Sequence, residues 1–580
     1  MPLRSYQDVE KALPWAFSTT KAGNAVSRFL HFQRLTAVEN GDTSLCRAQA
    51  VEKLRFSTAC YLLLLLLLIP LAAGADQVLR RGNGAEVQTL DPHKAEGVPA
   101  SNVLRDLYEG LVIEAPDGRL IPGAADHWSI SDDGLVYRFH IRESARWSNG
   151  DPVTAADFVY GLRRSADPAT GSKYAQILAP IENARAVIAG RKPVSALGVK
   201  ALSDHELEIR LAAPTPYFLG LLTHSSTYPV HRPSVERWGE RFSRPGKLVS
   251  NGAYQLAEWV VQSHIKLVRN PHYWNDAHTA IDTVYYYPIE DSATELKRYR
   301  AGELDVTDAI PLQQFRWIKS HLGDELVVAP YLGTYFYGFN LTRPPFKDRP
   351  KLRRALSLAI DRRLLTEKIT GMGEKPLYSW VPEGIPGYTP ARLDYAEWPR
   401  SRRLAEARRL YAEAGYSRSR PLTVELRYNT SENHRKVAIA IAAMWKQALG
   451  VRVRLINEEW KVFLANRKQK RVTQLFRAGW IGDYNDPYTF LEILHSRHGL
   501  NDEGYANPEY DRLLDAAAHE ADAAKRFELL HRAEAIALAD HPVIPLYNYV
   551  SKHLVKPWVK GWTPNLLDHH YSKDLALEDH

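Results

Sequence analysis

The chain has 580 residues, too many for one hydrophobic core and sized for two or three domains. Apolar residues make up 45% and charged residues 24%, as in an ordinary soluble globular protein. The formal charge of +8 falls to +5 once residues 1–75 are set apart, and no dense Lys/Arg stripe is present to track phosphates, which argues against nucleic-acid binding.

Lys53-Leu54-Arg55 precedes an apolar run, Tyr61 to Ile69, and Pro70-Leu71-Ala72-Ala73-Gly74-Ala75 follows it. A basic segment, an apolar segment and an Ala-x-Ala site are the three parts of a secretory signal, so cleavage is expected after Ala75. The apolar run, nine residues from Tyr61 to Ile69, is shorter than the ~20 that span a bilayer, which disfavours a membrane anchor. Residues 1–50 carry no clear function; the expectation is that translation begins near Val51, through a non-Met start codon. Cys46 and Cys60 are the only cysteines and both precede the cleavage site. The mature chain would then have no disulfide, no thiolate nucleophile and no Cys-ligated metal. No Cys follows the apolar run to take a lipid, so the product is expected to be soluble in the periplasm.

Beyond Asp76, strand-like and helix-like segments alternate. Val136 to Ile141 and Leu207 to Leu211 alternate with period two, as half-buried strands do. Leu352 to Ile360 has helical spacing, with Asp361 and Arg362 near its end. Leu404 to Ala414 is an amphipathic helix closed by Gly415, and Val437 to Leu449 is another, stopped by Gly450. The strand Val451 to Leu455 follows at once, a step typical of α/β layers. Proline and glycine clusters punctuate the chain at Pro344-Pro345, Pro382 to Pro390 and Pro542 to Pro545, and there are no internal repeats.

The most informative stretch is Arg477-Ala478-Gly479-Trp480-Ile481-Gly482-Asp483-Tyr484-Asn485-Asp486-Pro487, expected as a loop between two helix-like segments. It places a cation, an aromatic, two glycines and a carboxylate within a few residues, the inventory for gripping a small zwitterion by its backbone and its charged ends. Other stretches accompany it in order: Gly84 to Pro99 (GAEVQTLDPHKAEGVP), Arg105 to Leu111 (RDLYEGL), Trp147 to Tyr160 (WSNGDPVTAADFVY), Ser250 to Tyr254 (SNGAY), Pro345 to Asp348 (PFKD), Tyr428 to His434 (YNTSENH), Glu459 to Phe463 (EWKVF) and Lys552 to Trp558. The ordered set resembles the oligopeptide-binding proteins of bacterial peptide ABC importers, within family 5 of the extracellular solute-binding proteins.

That resemblance implies an α/β, two-lobed, three-domain periplasmic binding fold, type II-like and hinge-closing, with a discontinuous first domain. The division expected is residues 1–50 as an extension, 51–75 as signal peptide, 76–108 with 234–332 and 551–580 as domain I, 109–233 as domain II, and 333–550 as domain III. The implied partners are short peptides, an inner-membrane permease and its ATPase subunits. No cofactor and no metal are implied, and a monomer is expected.

The residues that match the family's ligand positions are Asp483 for the peptide α-amino group, and Arg477, His434 and Arg467 as cations for carboxylates at different depths. Glu96-Gly97-Val98 and Gly479-Trp480-Ile481 are expected as strands flanking a peptide added between them. Trp460, Trp480 and Tyr174 match the walls of roomy side-chain pockets. Taken without the resemblance, an Asp in a Gly-Asp-Tyr loop is usually a turn former, a lone Arg a surface ion pair, His434 a capped-loop histidine, and most aromatics core. The family often has a Cys at the position of Ile481, paired with one where this chain has Gly333; both are absent here.

Three other functions compete with this one. No Gly-x-Ser-x-Gly, His-Glu-x-x-His or phosphate-binding loop is present, and Asp132-Asp133 sits in a turn-like stretch, so an enzyme is not expected. His569-His570 could coordinate a metal, but a polar tail without Cys or a third spaced His is a weak case for a metal or haem carrier. A murein-peptide binder is the closer alternative, since cell-wall peptides also offer an amine and carboxylates.

Overall fold

The computed structural model describes residues 76–579. The expectations for the translation start, the signal segment, its cleavage site and both cysteines lie outside the described residues. Among the described residues no helix is long and apolar enough to cross a membrane.

Strand β1 (Val78–Gly82) leads through an irregular segment with a turn at 92–94 to helix α1 (Val98–Leu107). Gly97 precedes the helix at φ 85° and Pro99 lies in its first turn, a pairing that starts the helix. Glu96–Val98 is therefore not a strand, as the resemblance implied, but the entry to α1. Strands β2 (Ala125–Ile130) and β3 (Val136–Ile141) form a hairpin. Its turn contains Asp132 and Asp133, and Asp133 accepts from the Leu135 amide at 3.0 Å, as a turn carboxylate does. Along β3, Tyr137, Phe139 and Ile141 are buried while Arg138 is exposed, which is the period-two pattern. Helix α2 (Ala155–Ala166), started by a Thr154/Asp157 capping box, packs on β4 (Val199–Ala201) and β5 (Glu206–Arg210). These strands form an antiparallel sheet of order β2-β3-β5-β4. Strands β6 (Tyr254–Val260), β7 (His264–Arg269) and β8 (Thr283–Tyr287) join β1 in a second sheet, β1-β8-β7-β6, in which only β1 and β8 run parallel.

The second lobe begins within the long strand β9 (Leu326–Phe339). It continues through α3 (Pro350–Leu358), α4 (Arg400–Glu413), β10 (Thr423–Asn429), α5 (Glu432–Leu449), β11 (Arg452–Glu458) and α6 (Trp460–Gln469). Then come β12 (Leu475–Ile481), α7 (Tyr488–Leu491), α8 (Pro508–Ala517), α9 (Ala523–Asp540) and β13 (Val543–Leu554). One mixed sheet unites it, with the short strand Lys375–Pro376 followed by β13, β9, β12, β10 and β11. Helix α3 ends before Asp361, which instead caps the next turn by accepting from the Leu364 amide at 3.2 Å. Helix α5 starts ahead of Val437, because the Ser431 hydroxyl caps it. Gly450 closes it at φ 80°. The first half of the Arg477–Pro487 stretch is strand β12, not loop, since it completes the sheet beside β9.

Two main cores result. One gathers buried residues of 332–547 around Trp380, Trp445, Tyr337 and Phe490. The other draws on residues 79–306 with Val555, Val559 and Leu575, and takes in Tyr484 from the far lobe. Strands β9 and β13 run side by side from one lobe into the other. Their ladder breaks between Pro330 and Thr334. There the Asn548 side chain donates to the carbonyls of Tyr331 (3.0 Å) and Gly333 (2.8 Å), satisfying groups the ladder leaves open.

Candidate ligand-binding cleft

Between the lobes lies a cleft with about 1240 Å³ of empty space, part of it open to solvent. Its walls bring together Asp483, Arg477, Arg467, Glu96, Val98, Gly479, Trp480, Ile481, Trp460 and Tyr174. His434 lies instead on an adjoining cavity that shares Val98, Trp460, Arg477, Gly479 and Ile481 with the first. The set scattered over some 390 residues of sequence is thus one continuous hollow.

Strand β12 forms the floor. On one side it pairs with β9 along its whole length, from Phe339↔Leu475 to Gly333↔Ile481. On the other, only Leu475 and Phe476 pair with β10. From Arg477 to Ile481 that edge is free of strand partners and borders the cleft. An exposed edge of N–H and C=O groups is a template for an added extended chain.

Arg477 stands on this strand, half-buried. It donates to Asn429 Oδ1 at 3.2 Å and to the Tyr549 hydroxyl at 2.5 Å, and lies 4.7 Å from the Tyr335 ring centroid. All of these partners are neutral, and its Nε has none among the described residues. Asp483 lies just past the strand. Its amide donates to Thr489 Oγ1 at 3.1 Å, which fixes the backbone. Its carboxylate meets the ring of His224, with Nε2 at 3.7 Å, too far for a hydrogen bond. Burial, with Arg105 and His569 nearby, pushes the His224 imidazole down to about 3, so it is neutral. Burial pushes the Asp483 carboxyl up to about 7, against smaller effects of Thr489 and Arg105. The stretch thus carries a half-buried cation and a half-buried carboxyl without ionic partners. The neighbouring Asp486 differs: it is clamped by Arg526 through two bonds of 2.8 and 2.9 Å.

The other expected cations behave differently. Arg467 faces the cleft but donates to the buried Asp502 at 2.5 Å, so its charge is compensated. Burial and the Arg477 charge drive the His434 imidazole well below its usual range, making it a neutral group 3.4 Å from the Tyr335 hydroxyl. Glu96 is paired with Lys468 of the opposite lobe. Tyr174 stacks toward Trp480 at 6.3 Å between ring centroids, and Trp460 lies against Gly97, also across the cleft. Sequence reasoning missed Arg105, His224, Thr489 and Asp568, and took His569 only as a possible metal ligand; all five complete the wall or hold it. Arg105 lay inside a quoted motif; His224, Thr489 and Asp568 gave no local signal.

Several contacts join the lobes directly. Arg185 donates to Asp515 at 2.9 Å, Tyr217 stacks on Tyr484 with 3° between ring planes, and the Arg526 guanidinium lies 4.8 Å from the Tyr217 ring centroid. Two lobes joined by two crossing strands and closed over a buried hollow define a solute-binding protein.

The comparisons give the family. The model described as "Bacterial extracellular solute-binding proteins, family 5 Middle" matches residues 119–501. The periplasmic oligopeptide-binding protein OppA of Escherichia coli is 44% identical over 508 residues, covering 87% of this chain and 93% of that protein. The crystal structure of Haemophilus influenzae OppA in complex with RPPGFSPFR superimposes with a TM-score of 0.84 at 41% identity, covering 87% and 99% of the two chains. The E. coli murein tripeptide-binding protein MppA gives 0.85 at 40% identity with the same coverage, whereas its unliganded open form gives 0.61, covering 87% and 98%. The chain belongs to family 5 of the bacterial extracellular solute-binding proteins, and its lobes stand as in the peptide complex, not as in the open form.

Proposed function

We propose that this chain is the periplasmic substrate-binding component of an oligopeptide ABC importer, holding short peptides by their backbone and termini. The observation that carries the reading is the pair of half-buried, ionically unpartnered groups at the two ends of a free strand edge, Arg477 and Asp483. A buried charge without a partner is costly, and a zwitterion of the right length relieves both at once. Five residues lie between the two, six steps of chain, so they stand at most about 20 Å apart, which suits an extended peptide of up to about five residues.

In this reading Asp483 takes the α-amino group and Arg477 the carboxylate of shorter peptides. His434, deeper in the adjoining cavity, becomes charged when the carboxylate of a longer peptide replaces the empty space beside it. Arg467 acts through its pair with Asp502. The free edge of Gly479–Ile481 and the main chain of Glu96–Val98 supply hydrogen bonds that do not depend on peptide sequence, and Trp460, Trp480 and Tyr174 wall the side-chain pockets. The domain limits follow the expected division at 76–108, 109–233, 234–332, 333–550 and 551–580, with β9 and β13 as the hinge. The chain works as a monomer, secreted through a cleaved signal, and delivers peptide to a separate permease driven by separate ATPase subunits. It performs no chemistry on its cargo.

The test is mass spectrometry of what denaturation releases from protein purified from the periplasm. A ladder of mixed peptides of about two to five residues is expected. A single mass matching a cell-wall peptide would overturn the general reading in favour of the murein one.

A further inference from the structure

The C-terminal segment is not a polar tail. Asn565 accepts from the His569 amide at 3.0 Å and donates to its carbonyl at 2.8 Å, folding the segment back on itself. Asp568, at φ 57°, occupies the left-handed region that Asp tolerates better than most residues. This turn lifts the Asp568 carboxylate between two imidazoles. His553, at the end of β13, presents Nε2 at 2.8 Å from one oxygen, and His570 presents Nε2 at 3.0 Å from the other. The three ligand atoms all lie within 4.8 Å of one another.

We propose that His553, Asp568 and His570 form a binding site for a divalent transition-metal ion of the zinc, nickel or copper class, set in the wall of the cleft. Two imidazoles and one carboxylate are the donors such ions take, and a tetrahedral zinc holds its ligand atoms about 3.3 Å apart, a short step from the spacing present. The surrounding groups hold the ligands in place. His553 places Nδ1 2.7 Å from the Thr307 carbonyl, which fixes the ring with Nε2 towards Asp568, so a bound metal would take the place of the Nε2 proton that this carboxylate now accepts. The His570 ring stacks on Trp562 at 3.7 Å between centroids. Arg81, which donates to the His570 carbonyl at 3.0 Å, opposes a cation, and Asp308 on the same wall partly offsets it. Three protein donors leave at least one coordination position for water or for a donor of the bound solute, and the triad lines the cavity that also holds His434 and Arg477.

The experiment uses the mature protein, purified without a histidine tag, stripped with chelator and loaded with Zn²⁺ or Co²⁺. One Co²⁺ per chain with the absorption of a four- or five-coordinate ion is expected, its affinity weakened at least about 100-fold in His570→Ala and in His553→Gln. A zinc-loaded crystal should show its anomalous peak between the three side chains. A second group of donors, Asp126, His127 and His140, lies more exposed on β2 and β3 and serves as the internal control. A peak there alone, or Co²⁺ binding that survives both substitutions, overturns the proposal. The anomalous map decides even if a variant fails to fold.

Discussion

At the scale of single residues, the proposed site turns on two groups kept short of ionic partners. The same burial that lifts Asp483 to about 7 predicts a trade between stability and binding. Its carboxyl titrates near 3.8 in the unfolded chain and near 7 in the folded one, so the folded state takes up the extra proton. The stabilising effect of that proton is fully present below about pH 4 and is lost as pH rises through 7. Asp483→Asn, which cannot ionise, should therefore melt at a higher temperature than the ligand-free wild type at pH 8, with the gap closing towards pH 4. The same variant should bind peptides at least ~30-fold more weakly, the effect of removing one partner from a buried charge pair, as read by calorimetry. Equal affinity in the two proteins would remove Asp483 from the site. That Asp483 and Arg477 stand close together as a carboxylate and a cation was legible in sequence. The states of Arg467 and His434 were not, because they depend on Asp502, Arg477 and burial, none of which has a fixed spacing from them.

At the scale of the element, strand β12 explains how the ladder tolerates the missing cysteines. Gly333 and Ile481 are opposite partners on β9 and β12, and a Cβ on Gly333 would fall within the space that Ile481 fills. A large side chain facing a glycine does the packing a pair of smaller residues would do. Directly opposite positions on antiparallel strands lie about 4.5–5.5 Å apart at Cα, within disulfide range. The double variant Gly333→Cys, Ile481→Cys should thus oxidise to a single bond, raise the melting temperature and lose its free thiols in a thiol assay. The chain offers no other cysteine after Cys60 to compete. Gly97 is the second sensitive point. It has φ 85°, and a Cβ there would meet the Trp460 ring across the cleft at 2.9 Å. Gly97→Ala should weaken peptide binding several-fold through poorer closure, about 1 kcal/mol of strain being the smaller part. An unchanged dissociation rate would count against that account.

At the scale of the whole molecule, the lobes are shut. The contacts that hold them are a few ion pairs and stacked rings, among them Arg185–Asp515 and Tyr217–Tyr484. Exposed ion pairs contribute under about 1 kcal/mol each, so closure stays reversible and a ligand that touches both lobes can shift it. Small-angle scattering of ligand-free mature protein should give a radius of gyration above the roughly 23 Å of a compact chain this long, falling on addition of a short peptide. Arg185→Ala should raise the dissociation rate by no more than about fivefold, the limit set by a partly exposed pair. A radius that does not respond to peptide would place the binding event somewhere other than between the lobes.

The sequence by itself determined many of the elements and the side-chain chemistry carried by β12 and the residues just past it. The period-two run of β3, the glycine stops at Gly415 and Gly450, and the cation, glycines and carboxylate of Arg477–Asp483 are local patterns, because local backbone sterics and side-chain spacing produce them. Tertiary structure alone decided which charges are free and which are spent. Pairing on β9 turned half of an expected loop into a strand with one open edge. Burial neutralised His434 and His224, and a carboxylate 35 residues away compensated Arg467. The same long-range packing brought His553 to Asp568 and His570, and made a buried cluster of what sequence offered as a tail. A charge is set by what surrounds it in space, and in this chain those surroundings come from opposite lobes and opposite ends.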